Sequence, residues 1–250
     1  MNGDGNKHAP GPIEARAGVL DDFEAVDLPT NEVPVVIERD RAHFVGRLGF
    51  YRKLLPLCVD GGRVLSGGRY LFASYDQAVD FRRWLGQEFR LDNKLFSERP
   101  WARDLTCDPF HVIGAHDFKD VHRSQTVVRV ERWAIDGDHD AMLDSTWRAL
   151  RDRANASGLA SAWLWFSDDR KEAAVITVAD RIGARDLKAP DEASLRALAA
   201  RPTFAEELAR QSWARKTFDR TSWVLTIWFA PDHEPLYLWP NSPPLPGPAA

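Results

Sequence analysis

The segment TVVRVERWAIDGDHDAMLDSTWRALRDRANASGLASAWLWFSDDRKEAAVITVADR, residues 126–181, contains the pattern from which the fold can be predicted. Its opening residues, Thr126 to Trp133, are rich in β-branched side chains and predict a strand. Asp138 or Asp140 can cap a helix after it, since apolar residues recur at helical spacing at Leu143, Trp147, Leu150 and Ala154. Gly158 is expected to end that helix.

Two further strands follow this helix and complete a β-α-β-β order. Residues 160–166 (ASAWLWF) and 172–179 (EAAVITVA) have strand composition, and the short charged segment between them predicts a hairpin. Asp191 can then cap a helix over residues 192–198, and Thr203-Phe-Ala-Glu206 has the capping-box pattern that begins another helix. A closing strand is predicted over residues 221–229 (TSWVLTIWF).

The first half of the chain predicts the same order of elements. Residues 32–39 (EVPVVIER) predict a strand, and apolar residues at helical spacing predict a helix over about residues 41–57. A hairpin with its turn at Gly67-Gly68 follows, then a helix capped by Ser74 or Asp76. Residues 109–116 predict the last strand. The matching order of elements indicates an internal repeat, and VIER at 36–39 resembles RVER at 129–132.

The predicted strands are apolar on both faces. Within residues 160–166, Trp163 and Trp165 point to one face, and the alternate residues Ala162, Leu164 and Phe166 point to the other. The closing strand is expected to alternate in the same way, with Trp223, Leu225, Ile227 and Phe229 opposite Val224, Thr226 and Trp228. Because helices cover only one face of each sheet, we expect the two sheets to pack together around a cleft lined by aromatic residues.

Residues 70–78 (YLFASYDQA), leading into Phe81, form a strand-to-helix turn that resembles the dimeric α+β barrel superfamily, as does the repeated order of elements over about residues 32–230. The resemblance implies an α+β fold of two tandem ferredoxin-like β-α-β-β-α-β units. Their antiparallel sheets would pack face to face as a barrel, with the helices outside. Members include cofactor-independent monooxygenases, muconolactone isomerase-like enzymes, and haem proteins of the chlorite dismutase and aldoxime dehydratase types, and the fold does not choose among them.

Haem is the minority alternative under this resemblance. The haem families carry their axial histidine in the C-terminal half, on or beside a helix of the barrel. In this chain the second unit offers His139, at the start of its first helix, and His233, beyond the closing strand, and neither fits that position comfortably. The expected cofactor is therefore none.

The predicted units cover residues 31–122 and 123–235. Residues 1–30 mix Gly, Pro, Asp and Glu without a sustained period and predict a disordered leader. Residues 236–250 form a proline-rich tail, which could present a polyproline ligand to an SH3-like partner, although such tails are usually disordered.

Composition excludes several classes of protein. The 33 Lys and Arg residues against 37 Asp and Glu residues give a net charge of −4, which provides no footprint for nucleic acid or an anionic membrane. No apolar run approaches the roughly 20 residues that span a bilayer, and the N-terminus lacks a signal-peptide core, so a cytoplasmic location is expected. Cys58 and Cys107 match no metal spacing and are interpreted as ordinary thiols.

Histidines supply the candidate base. His111 and His116 stand at the two ends of one predicted strand, and His122 follows in the connection between the units. A spacing of five puts His111 and His116 on opposite faces of a regular strand, so only one would face the cleft and the two could not share a metal without a bulge. A neutral imidazole there could act as general base. The alternative is a histidine that is hydrogen-bonded at a strand end.

Charged residues also lie inside the opening strand of the second unit. Arg129 and Glu131 share one face, and Val128 and Val130 share the other. If the valines meet the helices, Arg129 and Glu131 point into the cleft, where they could orient an anionic or enolic substrate. Glu38 would be equivalent in the first unit. The alternative is a solvated ion pair on an edge strand.

Tryptophans are the candidate substrate-binding residues. Trp101 lies in a long irregular segment, residues 90–107, which either closes over the cleft mouth or extends a helix. The ten tryptophans could line a pocket for a flat ligand, although large aromatics on strands are mostly core. The candidates for substrate contact are Trp101, Trp133, Trp163, Trp165 and Trp228.

The predicted function is a small-molecule enzyme without a nucleotide cofactor or metal. It would act on an aromatic or polyketide-like substrate by proton abstraction, with oxygenation, isomerisation or elimination as the outcome. His111 or His116 would be the base, and Arg129 with Glu131 would hold the developing oxyanion. The alternatives are a haem- or ligand-binding barrel without turnover and a purely structural module. A further association into homodimers is left open.

Overall fold

The computed structural model describes residues 10–28, 32–91, 93–119, 121, 126–137, 140–179 and 199–229, without the side chains of residues 34, 37, 38, 126, 140, 141 and 226. The first unit consists of β1 (Gly11–Pro12), β2 (Ala17–Ala25), α1 (Val33–Val45), β3 (Phe50–Asp60), β4 (Arg63–Phe72), α2 (Tyr75–Gln87), β5 (Arg90–Leu91), β6 (Lys94–Leu95), a 3₁₀ turn (Phe96–Glu98) and β7 (Ala102–Asp117). The second consists of β8 (Thr126–Ile135), α3 (Asp140–Ala156), β9 (Ser161–Ser167), β10 (Glu172–Val178), α4 (Glu206–Ala209) and β11 (Ala214–Phe229).

The strands form a closed antiparallel barrel. The first unit contributes the order β7-β2-β4-β3 and the second the order β11-β8-β10-β9, which is the ferredoxin-like arrangement in each case. β3 pairs with β11, and β7 pairs with β9, so both edges of each half are joined to the other half. This closure confirms the predicted α+β barrel of two tandem units and leaves the barrel strands without a free edge.

Three apolar cores result from the closure. The core inside the barrel takes residues from every barrel strand and from no described helix, including Leu20, Leu54, Leu71, Phe110, Val128, Trp163, Ile176 and Ile227. A second core lies outside the first unit, where Phe44 of α1 and Phe81 of α2 pack on the strands. A third lies outside the second unit, where Leu150 of α3 and Leu208 of α4 do the same. The helices therefore cover the outside of the barrel, as predicted.

Side chains fill the barrel interior. Leu20, Trp163, Trp165 and Ile227 are each 0% exposed, which leaves no room for water beside them. Trp163 and Trp165, which were predicted to line a cleft between the two sheets, are therefore packed in this core. The two indole rings fill the space themselves, since Trp163 and Trp165 stack with their ring centroids 5.6 Å apart.

The predicted leader over residues 1–30 must be corrected. Residues 17–25 form β2, a buried strand that pairs with β4 on one side and β7 on the other. Ala17, Val19, Phe23 and Ala25 pack outward against the first unit's core at strand spacing. The acidic residues between them hid this period in the sequence. The first unit therefore begins before residue 31.

Two neighbouring elements of the first unit were also predicted wrongly. Residues 33–45 form helix α1, whereas a strand was predicted over residues 32–39. Residues 50–60 form strand β3, whereas a helix was predicted over about residues 41–57. On α1, Val33, Asp40 and Phe44 are all buried, and their spacings of seven and four residues are those of one helix face.

The turn of the first hairpin lies earlier than predicted. Gly61 and Gly62 join β3 to β4, with φ angles of +55° and +80° that favour glycine. Gly67 and Gly68 lie within β4 instead. A Cβ on Gly67 would lie 2.0 Å from the carbonyl oxygen of Asp21, so glycine permits the close approach of β2 at this point.

The second unit follows the prediction closely, as its strands β8, β9 and β10 show. The faces of β11 differ, because a register shift between Val224 and Thr226 interrupts the alternation. As a result, Ile227 and Phe229 lie inside the barrel and Trp228 outside. The helix predicted over residues 192–198 and the tail over residues 236–250 lie outside the described residues. No described helix is both long and apolar enough to cross a membrane.

Candidate functional site

Neither candidate histidine faces the barrel interior. β7 has a register shift between Val112 and Gly114, so His111 and His116 fall on the same face of the strand. His111 lies opposite Ala17 and Phe166, which both belong to the outer cores. The bulge therefore replaces the predicted opposite orientation of the two histidines.

Aromatic rings are the neighbours of both histidines. His111 is exposed and stacks on Tyr75 of α2, with the ring centroids 4.0 Å apart. His116 is half-buried beside Phe118, and its burial lowers the pKa of the imidazole. His122 lies outside the described residues. In the described part of the chain, no group of three or more His, Cys, Asp or Glu side chains could hold a metal ion.

Arg129 and Glu131 lie on the outer face of β8, which reverses the predicted orientation of that strand. Val128 and Val130 belong to the core inside the barrel, whereas Val127 and Trp133, on the same face as Arg129, belong to the outer core. Arg129 and Glu131 are buried there beneath the segment that leads into α4. They form a paired, buried group and not a solvated one.

Other protein groups act as hydrogen-bond and ion-pair partners of Arg129 and Glu131. Arg129 donates to both carboxylate oxygens of Asp219, at 2.9 and 2.7 Å, and to the carbonyl oxygen of Arg201 at 2.7 Å. Glu131 accepts from Thr203 Oγ1 at 2.7 Å and from Lys216 Nζ at 3.2 Å. Burial opposes it, but the hydrogen bonds from Arg129 and Lys216 lower the pKa of Asp219. Arg129 and Glu131 therefore already have partners within the protein.

The other predicted substrate contacts are scattered. Trp163 and Trp165 lie inside the barrel, Trp133 outside the second unit, and Trp228 outside the first unit. Trp101 is half-buried and packs against the first unit's core. Glu38 lies on helix α1, and its side chain is outside the description. These residues do not form one site.

A buried polar group that the sequence reasoning missed lies between the first unit's strands and α1. We call Asp21, Lys53 and Tyr70 the Asp21 cluster. Tyr70 donates its hydroxyl to Asp21 Oδ2 at 2.8 Å, and the other oxygen, Oδ1, has no hydrogen-bond partner among the described residues. The Tyr70 ring lies over Gly68, where a Cβ would be 2.2 Å from it. The two glycines of β4 therefore make the room in which Asp21 and Tyr70 meet.

Lys53 lies in a box of aromatic rings. Its Nζ is 4.2 Å from the ring centroid of Phe44, 4.7 Å from that of Tyr70 and 4.6 Å from that of Trp228. Its side chain is buried, and β3 places it directly opposite Tyr70. Aromatic faces stabilise a cation by electrostatic attraction to their π electrons. The charge of Lys53 also acts on the Asp21 carboxylate and lowers its pKa against the effect of burial, which raises it.

The environment sets the protonation of the Asp21 cluster. Burial raises the pKa of Asp21, and this effect is opposed by the charge of Lys53 and the hydrogen bond from Tyr70. Burial, together with the adjacent carboxylate, raises the pKa of Tyr70 well above its ordinary value. The phenol therefore stays protonated and donates, while the carboxylate gains proton affinity.

Asp40 and Arg99 form a second buried pair beside the cluster. Arg99 Nη1 donates to Asp40 Oδ2 at 2.7 Å, and both side chains are almost completely buried. Asp40 Oδ1 and Arg99 Nε and Nη2 have no hydrogen-bond partner within the described part of the chain. Burial raises the pKa of Asp40 against the hydrogen bond and charge of Arg99, with a smaller effect from Lys53. Lys53 thus acts electrostatically on both carboxylates.

The two units use equivalent positions differently. Asp21 is the third outward-facing residue of β2, after Ala17 and Val19, and Glu131 is the third of β8, after Val127 and Arg129. The true counterpart of Glu131 is therefore Asp21 and not Glu38. Both oxygens of Glu131 are hydrogen-bonded, whereas Asp21 keeps one oxygen without a partner among the described residues.

The rest of the Asp21 cluster has no charged counterpart in the described part of the second unit. Tyr70 lies opposite Val19, and Thr177 lies opposite Arg129, so Thr177 takes the place of Tyr70. Lys53 pairs with Tyr70 and Ala162 pairs with Thr177, so an alanine takes the place of the lysine. Only the first unit combines a free carboxylate oxygen, a phenol and a lysine among the described residues.

A sequence signal for Asp21 does exist. Ala17, Val19, Phe23 and Ala25 alternate as a half-buried strand does, and Asp21 interrupts the apolar positions. A charged residue at a core position of a strand is costly unless it is paired or functional. The prediction of a leader over residues 1–30 concealed this signal.

The second unit does not provide a fitting haem site within the described residues. Its sheet–helix layer is occupied by Arg129, Glu131, Phe204 and Leu208 and contains no described histidine. His139 and His233, the candidates for an axial ligand, lie outside the described residues.

Comparison with known proteins shows the fold. No protein-family model matches the chain, and no curated protein sequence matches it. A solved structure of a presumed monooxygenase from Fusobacterium nucleatum subsp. nucleatum ATCC 25586 is similar, with a TM-score of 0.58 and 12% identity over 86% of this chain and 95% of that one. An anthrone oxidase-like protein is similar with a TM-score of 0.50 and 13% identity over 87% of this chain and 94% of that one.

A heme-binding protein from Thermus thermophilus also matches, with a TM-score of 0.46 and 8% identity over 86% of this chain and 93% of that one. At these identities the likeness concerns the fold alone. The predicted resemblance to the dimeric α+β barrel superfamily is thereby confirmed as a resemblance of fold, with both ferredoxin-like units in one chain.

Proposed function

We propose that the protein is a small-molecule enzyme that abstracts a proton from a phenolic or enolisable aromatic substrate at the Asp21 cluster. The observation that carries this proposal is a buried carboxylate that accepts a hydrogen bond from a phenol, is influenced by the charge of a lysine, and has one oxygen without a partner among the described residues. Buried ionisable groups with altered pKa values are characteristic of active sites. The proposal needs no nucleotide cofactor, haem or metal.

Asp21 is the general base in this proposal. A base is most effective when its pKa lies near the working pH, and burial moves the pKa of Asp21 in that direction. The free Oδ1 is the atom that takes the proton, because Oδ2 already accepts the Tyr70 hydroxyl. The C–H or O–H bond of the substrate breaks, and its electron pair stays on the substrate as an enolate or phenolate.

Lys53 stabilises the negative charge that develops on the substrate oxygen, while the Tyr70 hydroxyl stays hydrogen-bonded to Asp21. The charge of Lys53 acts in buried surroundings, where electrostatic interactions are strong. The rings of Phe44 and Trp228, which enclose Lys53, are themselves buried and keep the surroundings of its charge apolar. Because the cluster is covered by α1, substrate entry requires α1 or the segment from Phe96 to Trp101 to move.

The assignment of the base to His111 or His116 is the second candidate for the same chemistry. It receives less support from the geometry, because both histidines lie outside the barrel and His111 is exposed. Arg129 and Glu131 are also less suited to orienting a substrate, since other protein groups already satisfy them. Both assignments make the same prediction for proton exchange and differ in the variants that abolish it.

The first test follows the exchange of a substrate proton with solvent. Anthrone is the probe, because a structural neighbour is anthrone oxidase-like and because its methylene hydrogens are acidified by the ring carbonyl. In D₂O, wild-type protein is expected to accelerate loss of the methylene proton signal. Asp21→Asn removes the base and is expected to slow the enzymatic exchange by about 10²–10⁴-fold.

The matched control is Glu131→Gln, which changes the equivalent carboxylate of the second unit and is expected to leave the exchange rate unchanged. Exchange at the buffer rate with wild-type protein would contradict the proposal, as would full activity of Asp21→Asn. Loss of exchange in the double variant His111→Ala/His116→Ala, with Asp21→Asn still active, would move the base to the histidines. Circular dichroism establishes that each variant is folded.

A further inference from the structure

Arg99 presents an unused hydrogen-bonding edge in the interior of the first unit. Its side chain is 4% exposed, and Nη1 donates to Asp40 Oδ2 at 2.7 Å. Nε and Nη2 are buried and have no hydrogen-bond partner in the described part of the chain. Buried donors without partners are costly and rare, so two on one guanidinium require an explanation.

The two free nitrogens have the geometry that recognises a carboxylate. Nε and Nη2 form the long edge of the guanidinium, where two N–H bonds run nearly parallel in a fixed plane. This edge matches the two oxygens of a carboxylate and gives a bidentate, charge-assisted pair. Asp40 occupies only Nη1 and leaves this edge open.

Aromatic rings surround the same guanidinium. The Cζ atom of Arg99 lies 5.2 Å from the ring centroid of Phe89, 4.6 Å from that of Phe96 and 5.4 Å from that of Trp101. Phe23 continues this aromatic surface, with its centroid 5.4 Å from that of Phe96 and 5.7 Å from that of Trp101. A planar aromatic ligand could pack against planar side chains of this kind.

We propose that Arg99 binds the carboxylate of an aromatic acid through Nε and Nη2, with the ligand ring against Phe96 and Trp101. Asp40 links this site to the Asp21 cluster, because it accepts a hydrogen bond from Arg99 and the charge of Lys53 lowers its pKa against the effect of burial. This inference rests on the proposed function and adds its substrate class. The substrate would be an aromatic acid whose carboxylate is bound by Arg99, beside Asp21.

The charges of the surroundings fit an added anion. Lys53 and Arg99 bring two positive charges, and Asp21 and Asp40 bring two carboxylates. Burial raises the pKa of Asp40, so uptake of a proton at Asp40 can accompany ligand binding while Asp21 stays ionised as the base. The carboxylate of the ligand, the third in these surroundings, is then accommodated without an uncompensated charge.

Calorimetric titration with benzoate tests the site directly, with benzamide and inorganic phosphate as comparison probes. Wild-type protein is expected to bind benzoate at least about tenfold more tightly than benzamide, which lacks the charge, or phosphate, which lacks the ring. Arg99→Lys keeps the positive charge but loses the planar fork, and is expected to weaken benzoate binding by about tenfold or more.

Arg129→Lys is the matched control. Arg129 is an equally buried arginine, but its Nε and Nη2 are already bonded to Asp219, so benzoate affinity is expected to be unchanged. If Arg99→Lys fails to fold, Asp40→Asn replaces it. That variant removes a negative charge next to Arg99 and leaves Nε and Nη2 unchanged, so it is expected to tighten benzoate binding severalfold.

Four outcomes would overturn the inference: no benzoate binding by wild-type protein, equal affinity of Arg99→Lys, benzoate affinity unchanged or weakened by Asp40→Asn, or phosphate binding as tightly as benzoate. Failure here and failure of the proposed function are distinguishable. Asp21→Asn is expected to abolish anthrone exchange while it still binds benzoate. If Asp21→Asn loses anthrone exchange but wild-type protein does not bind benzoate, Asp21 remains the proposed base and Arg99 is not a carboxylate-binding site.

Discussion

At the scale of single residues, glycines determine where the large side chains fit. Trp165 of β9 lies over Gly18 of β2 inside the barrel, and a Cβ on Gly18 would be 2.5 Å from the indole ring. Trp147 of α3 likewise lies over Gly114, where an added Cβ would be 2.1 Å from the indole ring. The indole rings are accommodated because the facing strand has no side chain at these points.

Gly18→Ala is therefore expected to destabilise the protein by about 1–3 kcal/mol, since Trp165 cannot move away in a filled interior. Gly86→Ala is the matched control. Gly86 lies in α2 with nothing within 4 Å of its added Cβ, so the substitution is expected to stabilise by about 1 kcal/mol through helix propensity. Denaturant unfolding followed by tryptophan fluorescence measures both, and equal stabilities would refute the account of Trp165.

Lys53 controls the proton affinity of Asp21 at the same scale. Burial raises the pKa of the carboxyl, and the lysine charge acts against this. Lys53→Met removes the opposing charge, so the pKa of Asp21 rises further and more alkaline conditions are needed for the basic carboxylate. The acidic limb of the anthrone exchange profile is expected to move to higher pH.

Lys216→Met is the control for this shift, because Lys216 contacts Glu131, the equivalent carboxylate of the second unit. Its profile is expected to coincide with that of wild-type protein. An unchanged limb in Lys53→Met, or a limb displaced to lower pH, would show that Asp21 is not the titrating base.

At the scale of elements, the sequence was informative where local preference and tertiary packing agree. In β8, β9 and β10, β-branched and aromatic residues occur in segments that pair on both sides, and these strands were predicted nearly to their ends. Ser74 caps α2 as predicted, with Gln77 N donating to Ser74 Oγ at 3.3 Å.

Prediction failed where packing overrides local preference. The β-branched residues after Glu32 favour a strand, but α1 forms because Val33 and Phe44 bury one helix face on the sheet. The register shifts in β7 and β11 leave no mark in composition, so the faces of His116 and Trp228 could not be deduced. The candidate site was missed because Asp21 and Lys53 meet only after β2 and β3 have joined one sheet.

At the scale of the whole molecule, each half completes the other. The inner faces of the two sheets share one core, and the pairs β3–β11 and β7–β9 close both sides. Neither half could leave that apolar surface in water without cost. The two units are therefore expected to fold as one cooperative body.

A fragment of residues 10–121 tests this dependence. It exposes Leu20, Leu54, Leu71 and Phe110 on its inner face, and two copies can cover one another as the two units do in the full chain. Sedimentation is expected to show a dimer, and Leu54→Lys on the inner face is expected to abolish it. A stable, well-folded monomer of the unmodified fragment would contradict this account.

Joining the halves covalently has a further effect on what substitution can achieve. In an assembly of identical subunits, every amino-acid change appears in both halves at once, so a lysine placed for chemistry would also burden the other copy. Here the second unit has Ala162 and Thr177 at the positions that Lys53 and Tyr70 occupy in the first unit. The first unit can thus carry reactive side chains while the equivalent positions of the second unit carry residues that only pack.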